Sequence, residues 1–420
     1  MVKIKDLKAR EILDSKGEPT VEAEVLLSDQ TMAIADVPSG ASTGSTEAFE
    51  LRDGDKSRYF GKGVLKAVNN INSEIRKALI NRDASNQQKI DQIMIDLDGT
   101  EYKKRLGGNA TVAVSMAVCR AYAFSQKIEL YEYFGQLSGN KKYRLPQPQI
   151  LIMEGGKHGN WATDLQEFFV IPKKEKFPLF KEALRVGAEI FHGVGKILKE
   201  KGYTSLVGFE GAYAPSEIKS NEEAFLIMME GIEKAGYQPQ EEILLGIDGA
   251  ASEFYHGGKY NLKREGTSLN RDQWLDLQLE WCRKYPIWSL EDTFGEEDWD
   301  GWVKLTKKMG KDHQIVGDDL LTTNVKRIKI AIDKKAVNSV LIKLNQIGTV
   351  SETIEAIKLS HKAGYTTVIS HRGGETNDDM IADLCVGCGS WQSKFGGPDR
   401  GERLAKYIRL LRIEEELCKK

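Results

Sequence analysis

The chain has 420 residues, 40% hydrophobic and 29% charged, with a formal net charge of −2. That length suits a barrel of about 250 residues plus a smaller domain, and the near-neutral charge gives no global field for nucleic acid. No stretch approaches the ~20 apolar residues of a membrane span, and Met1-Val2-Lys3-Ile4-Lys5-Asp6 is not a signal-type start, so a cytoplasmic location is expected.

Residues 1–135 read as an α+β domain. Val21-Glu22-Ala23-Glu24-Val25-Leu26-Leu27 alternates with period two, as a half-buried antiparallel strand does. Ser28-Asp29-Gln30 supplies a turn, and residues 31–37 return as the hairpin partner. The loop Pro38-Ser39-Gly40-Ala41-Ser42-Thr43-Gly44-Ser45 is built of small residues. It fits either a flexible hairpin extension or a lid offering oxygen ligands to a phosphate and its metal. Helical patterns follow over 63–79, 86–97 and 110–126, and strands followed by helices make an α+β arrangement. Leu145-Pro146-Gln147-Pro148-Gln149 reads as a stiff connector into a second domain, residues 136–420. Cys119, Cys282, Cys385, Cys388 and Cys418 are expected to be reduced thiols, because the single CxxC has no second pair to complete a zinc site.

In the second domain, five short apolar runs each end in a charged residue. The end residues are Asp248, Glu291, Asp318, Lys343 and the pair His371-Arg372. After a longer first gap they recur about every 25–28 positions with helical patterns between, the layout of a parallel (β/α) barrel whose strand ends face one pocket. Asp248, Glu291 and Asp318 would offer hard carboxylate oxygens to Mg²⁺, and a cation would relieve their mutual repulsion. Lys343 fits a base near neutral pH if a neighbouring cation weakens its hold on its proton, and a salt bridge to Asp318 is compatible with that reading. His371, Arg372 and Lys394 add positive charge for a doubly anionic substrate. Glu167 and Glu210 lie in earlier segments. Glu210, flanked by Gly208, Phe209 and Gly211, would act as a general acid if its environment raised its pKa; a solvated loop residue is the plainer alternative. His158, in Glu154-Gly155-Gly156-Lys157-His158-Gly159, is ambiguous on its own. Together these groups describe metal-assisted proton abstraction next to a carboxylate.

With these residues in place, the chain resembles the enolase family from end to end. The resemblance is carried by Ile12-Leu13-Asp14-Ser15, residues 38–44, Glu50-Leu51-Arg52-Asp53-Gly54-Asp55 and Gly61-Lys62-Gly63-Val64-Leu65-Lys66-Ala67-Val68. Later matches are Ala251-Ser252-Glu253-Phe254-Tyr255, Val316-Gly317-Asp318-Asp319-Leu320, Asn345-Gln346-Ile347-Gly348-Thr349 and residues 410–417. The resemblance implies an enolase-type (β/α)8 barrel, its early strands departing from simple βα repetition, under a smaller α+β N-terminal capping domain. It implies dehydration of 2-phospho-D-glycerate, a small phosphorylated three-carbon acid, to phosphoenolpyruvate, with two Mg²⁺ ions and a homodimer or higher assembly. By motif, Asp248, Glu291 and Asp318 would hold the first metal and Ser42 would help hold the second. Lys343 would be the base and Glu210 the acid, with Glu167 beside it, while His158, Glu167, His371, Arg372 and Lys394 would grip substrate.

Six positions depart from the family's motifs. Glu154 replaces an asparagine, Phe209 an aspartate, Thr293 a proline, Gly373 a serine and Phe395 a threonine; a further change puts Ala212 in place of a glycine. Losing the serine hydroxyl at Gly373 removes a phosphate contact, and Phe209 is expected to raise the pKa of Glu210 or turn it. These changes leave open a paralogue doing the same chemistry on a related substrate such as a phosphonate analogue, or a catalytically silent binding protein.

Overall fold

Three antiparallel strands open the chain in the order β1 (Ile4–Leu13), β2 (Pro19–Leu27) and β3 (Met32–Asp36). In β2 the predicted alternation holds: Val21, Ala23, Val25 and Leu27 are buried while Glu22 and Glu24 are only partly so. β1 shows little alternation because only Ile4 and Leu7 are buried, on either side of a register shift between Ile4 and Asp6, and the rest of the strand stays at or near the surface. The helices expected at 63–79, 86–97 and 110–126 form. The first runs from Leu65 to Leu79 through a widened π-turn at Ile71–Ile75, and the others are Gln87–Asp98 and Gly108–Ser125. Gly108–Ser125 packs on β2 and β3, and its alanines at 110, 113, 117 and 121 are fully buried. This computed structural model describes residues 1–40 and 44–419.

The second domain is a closed eight-stranded barrel. Its strands are β4 (Gln147–Glu154), β5 (Glu167–Pro172), β6 (Ile243–Asp248), β10 (Ile287–Glu291), β11 (Gln314–Gly317), β12 (Ser339–Ile342), β13 (Thr366–Ser370) and β14 (Gln392–Lys394), closing β14 onto β4. Between β6 and β10 lies a small sheet of β7 (Tyr255–His256), β8 (Lys259–Leu262) and β9 (Thr267–Leu269). The five apolar runs are β6, β10, β11, β12 and β13, with the expected end residues at or one position beyond each strand. Every barrel pairing is parallel except the two made by β5, which is antiparallel to both β4 and β6. An antiparallel strand begins where its neighbours finish. Glu167, the first residue of β5, is therefore level with Glu154 and Asp248, and Asp248 is level with Glu291. Four carboxyls on four adjacent strands thus share one rim.

The expected connector is corrected at its C-terminal end, because Gln147, Pro148 and Gln149 open the first barrel strand. The N–H groups of Gln147 and Leu151 donate to Trp391 and Gly396 on the β14 side. The intervening Pro148 therefore faces β5, whose pairing with β4 starts only at Ile150, and its missing donor costs no ladder bond. The closing helix, Gly401–Lys419, buries a mixed face. Ile408 is exposed, whereas Arg403, Lys406, Tyr407, Leu410 and Ile413 are buried. Two cations on the buried face are tolerated because each finds acceptors inside. Lys406 Nζ donates to Glu375 and to the Thr376 carbonyl, both at 2.6 Å.

All five cysteines are free thiols, with Cys119, Cys385 and Cys388 buried. Among the described residues no helix is long and apolar enough to cross a membrane.

The first domain is fastened to the barrel rim beside β13. The Ser39 N–H donates to the Gly374 carbonyl at 2.7 Å, the Gly374 N–H returns to Ser39 at 3.0 Å, and the Ser39 hydroxyl bonds the Asp14 carboxylate. A β-carbon on Gly374 would lie 2.2 Å from Ser39 Oγ and 2.4 Å from Asp14 Oδ2. Gly374→Ala is expected to cost about 1–3 kcal/mol through this overpacking and to speed protease cleavage between the domains. Wild-type melting and cleavage rates in that variant would show that the fastening carries no weight.

Candidate active site

The strand ends place almost every singled-out residue in one cleft, lined by His158, Gln166, Glu167, Glu210, Asp248, Asp318, Lys343, Ser370, His371, Arg372, Gly373 and Lys394. Glu291 is 1% exposed and joins the cleft through Lys394. Ser42 lies outside the described residues. The neighbouring end of its loop is docked on the barrel: Ser45 N–H donates to Glu296 at 3.0 Å, and Thr46 and Thr322 share a hydroxyl contact at 2.7 Å.

The expected metal acids are not clustered as three alone. The Lys394 ammonium lies 2.6 Å from Glu291, 2.8 Å from Glu167 and 3.0 Å from Asp248. Three carboxylates on β5, β6 and β10 thus converge on a cation from β14. They hold the lysine proton well above its usual range, although burial opposes this. Asp318 stands apart, bonded by Lys343 Nζ at 2.5 Å and by Gln346 Nε2 at 2.8 Å. Burial works against its charge, but Lys343 and Lys394 keep its carboxyl below the usual range. Hard oxygens on adjacent strand ends, a cation already drawn to their centre and a Glu291 Oε2 with no hydrogen-bond partner among the described residues make a donor set that fits a hard divalent cation such as Mg²⁺. Asp292 and Asp319 lie beside Asp318 in one compact acidic group, and burial and the neighbouring carboxylates push both well above the usual range. Asp292 turns the chain there, accepting from the amides of Asp318 at 2.9 Å and Asp319 at 2.6 Å with its own φ at +40°.

Lys343 holds its proton tightly through its salt bridge to Asp318. Although burial lowers its proton affinity, the Asp318 contact outweighs that and raises the pKa. The salt bridge anticipated from sequence decides the balance.

The opposite side of the cleft is built on Glu210. Its Oε2 lies 3.0 Å from His371 Nε2 and its Oε1 lies 3.3 Å from His158 Nδ1, which also meets Glu167 at 3.1 Å. Arg403 Nη1 donates to His371 Nδ1 at 2.7 Å, so the remaining imidazole proton sits on Nε2, facing Glu210. Burial and the adjacent Arg403 push His371 down to about 3, leaving it neutral despite Glu210. The expected rise in the Glu210 pKa is reversed. Burial favours the neutral acid, but His371, His158 and Arg403 outweigh it and hold the carboxyl well below its usual range. Phe209 does not act on it as expected, because its ring is 43% exposed and its carbonyl merely accepts from Arg403 at 3.1 Å. The raised groups are its neighbours. Glu167 is pushed up by burial and the Glu210 charge, and His158 is raised by Glu210 and Glu167 against the effect of burial.

Arg372 is gripped by Glu47 at 2.9 and 3.3 Å and by Asn345 at 2.9 Å. Glu47, Asn345, Gln346, Asp292 and Arg403 had no role assigned from sequence. Asn345 and Gln346 lie inside a quoted motif, which is a signal for importance but not for a contact. Arg403 and Lys406, two cations on one helical stripe with Tyr407, Leu410 and Ile413, are a sequence anomaly that could have been followed.

Fold and rim together define a (β/α)-barrel enzyme with acid–base and carboxylate groups at its strand ends. Residues 142–420 match the family described as "Enolase, C-terminal TIM barrel domain", and residues 4–134 match "Enolase, N-terminal domain". The chain belongs to the enolase family, and is thus an enzyme of lyase type.

Proposed function

We propose that this chain dehydrates 2-phospho-D-glycerate to phosphoenolpyruvate with Mg²⁺. The observation that carries the reading is one cleft lined by Lys343 and Asp318 on one side and by Glu210, His158 and His371 on the other. In that arrangement the Lys343 amine takes the C2 proton and the C2–C3 double bond forms. The C3 hydroxyl leaves as water with a proton from the Glu210–His158–Glu167 group. Proton transfers by positioned groups contribute about 10²–10⁴-fold each. Because Glu210 is held ionised next to His158, the donated proton belongs to the group of three and not to one residue. Lys343 accepts a proton only when the Asp318 contact that strengthens its own is relieved. Asp248, Glu291 and Asp318 are the residues that would hold the first Mg²⁺, with Ser42 contributing to a second. Bound there, the metal supplies positive charge against the charge that builds on the substrate carboxylate. Arg372 and Lys394 would meet the anionic groups of the substrate.

A turnover assay at saturating Mg²⁺, following the ultraviolet absorbance of the enol product, tests the reading. No conversion of 2-phosphoglycerate under those conditions would sink it. One observation favours a second reading, turnover of a related substrate such as a phosphonate analogue: Gly373 lines the cleft without the hydroxyl its family carries. Comparing kcat/KM on the two substrates decides. If the phosphate ester is the substrate, Gly373→Ser is expected to improve its kcat/KM by a contact of about 1–3 kcal/mol, roughly 5–150-fold. A fall on the ester with a gain on the analogue would favour the second reading.

A further inference from the structure

The departures from the family's motifs differ in what they touch. Phe395 and Thr293 are fully buried packing positions, Phe209 turns outward and Gly373 contributes its carbonyl to Arg403 at 2.7 Å. Glu154 brings a new carboxyl against the backbone of the acid itself. It ends β4, is 2% exposed, and reaches the loop that carries Glu210. Both its oxygens accept from the Glu210 amide at 3.2 Å, and Oε1 also accepts from the Ala212 amide at 3.2 Å. The flanking main chain is tied down too. Glu154 N–H donates to Tyr213 at 2.9 Å, Tyr213 N–H to Ile152 at 3.0 Å, and Gly208 N–H to Ala212 at 2.9 Å. A β-carbon on Gly208 would lie 2.5 Å from Glu154 Cδ, so the glycine is what lets the carboxyl reach these amides. An asparagine is one methylene shorter, and its NH₂ could not accept from the Glu210 amide as the second glutamate oxygen does.

We propose that Glu154 is the positioning residue for Glu210, clamping residues 208–212 so that the Glu210 carboxylate faces His371 and His158. This rests on the acid role proposed above for Glu210. The titratable groups facing Glu154 are Glu210 from the loop, His158 from the turn after β4, and Glu167 across the β4–β5 register. Burial and the Glu210 charge push the Glu154 carboxyl up to about 8. The native state therefore keeps a proton that the unfolded chain releases above the usual carboxylate range. Stability attributable to this group falls as pH rises through that window to about 8.

The test compares wild type with Glu154→Ala and Glu154→Gln by hydrogen exchange over residues 208–212, by steady-state kinetics and by melting against pH. In Glu154→Ala, exchange at the Glu210 and Ala212 amides should accelerate about tenfold or more. In the same variant kcat should fall by about 10–100-fold with KM within threefold. Glu154→Gln keeps one acceptor oxygen and should recover part of both losses. It should also lessen the fall in melting temperature expected for wild type between pH 6 and 8, to which the raised Glu167 and His158 contribute as well. Unchanged exchange at those two amides in Glu154→Ala overturns the clamp, whatever the turnover. A wild type inactive on every phosphorylated acid, yet showing the exchange change, would instead remove the catalytic role of Glu210 and leave the clamp standing.

Discussion

Lys343→Ala is expected to lower kcat by about 10²–10⁴-fold with little change in KM, because it removes the group assigned to the C2 proton and leaves the anion-binding cations in place. Two consequences of the geometry make the result readable. Asp318 loses its ammonium partner, but Gln346 still donates to it at 2.8 Å, so the carboxylate is not stranded. Lys343→Met, which keeps the apolar stem, controls for packing. The sharper measurement is exchange of the substrate C2 hydrogen with deuterated water. Wild type should catalyse it even where dehydration is slow, and Lys343→Ala should not. A variant retaining kcat within threefold, or exchanging C2 hydrogen at the wild-type rate, would mean that another group takes the proton.

Lys394→Met should produce the largest loss of stability. Its ammonium neutralises Glu167, Asp248 and Glu291, all nearly fully buried, and removing one partner of such a cluster leaves uncompensated charge costing about 3–5 kcal/mol. The same substitution vacates the centre of the carboxylate donor set. Millimolar Mg²⁺ should therefore raise the melting temperature of the variant more than that of wild type, by the linkage of binding to folding. An apo variant that melts with wild type would show that the three acids do not depend on this lysine. A variant destabilised but indifferent to Mg²⁺ would show that Asp248 and Glu291 do not take the ion.

Much of this site was legible before any coordinates. Five apolar runs ending in Asp248, Glu291, Asp318, Lys343 and His371 became five barrel strands with those ends, because a buried parallel strand is a short continuous apolar run and its end is where polarity returns. Glu167 was harder to place. Its strand runs the other way, so the acid comes before the apolar run instead of after it, and only the β4–β5–β6 register puts it on the same rim. β1 was missed because past Leu7 it lies at or near the surface, so little apolar alternation announces it.

The chemistry was less legible than the placement. A proton affinity depends on which charges lie within a few ångströms, and that is a property of the packed chain. Reading Gly208, Phe209 and Gly211 as an apolar pocket around Glu210 gave the wrong direction. The groups that decide it arrive from β13, from the turn after β4 and from a helix almost two hundred residues further on, Arg403 being the clearest case. Likewise Lys343 is strengthened by Asp318, 25 positions away in sequence and 2.5 Å away in space. The amino-acid order by itself determined the parallel barrel strands, the N-terminal α+β unit and the charged groups at the strand ends, since these follow from local periodicity. Which of those groups pair, which hold protons, and which amides Glu154 grips were decided only when the strands closed, because electrostatic energy falls off with distance through space and takes no account of distance along the chain.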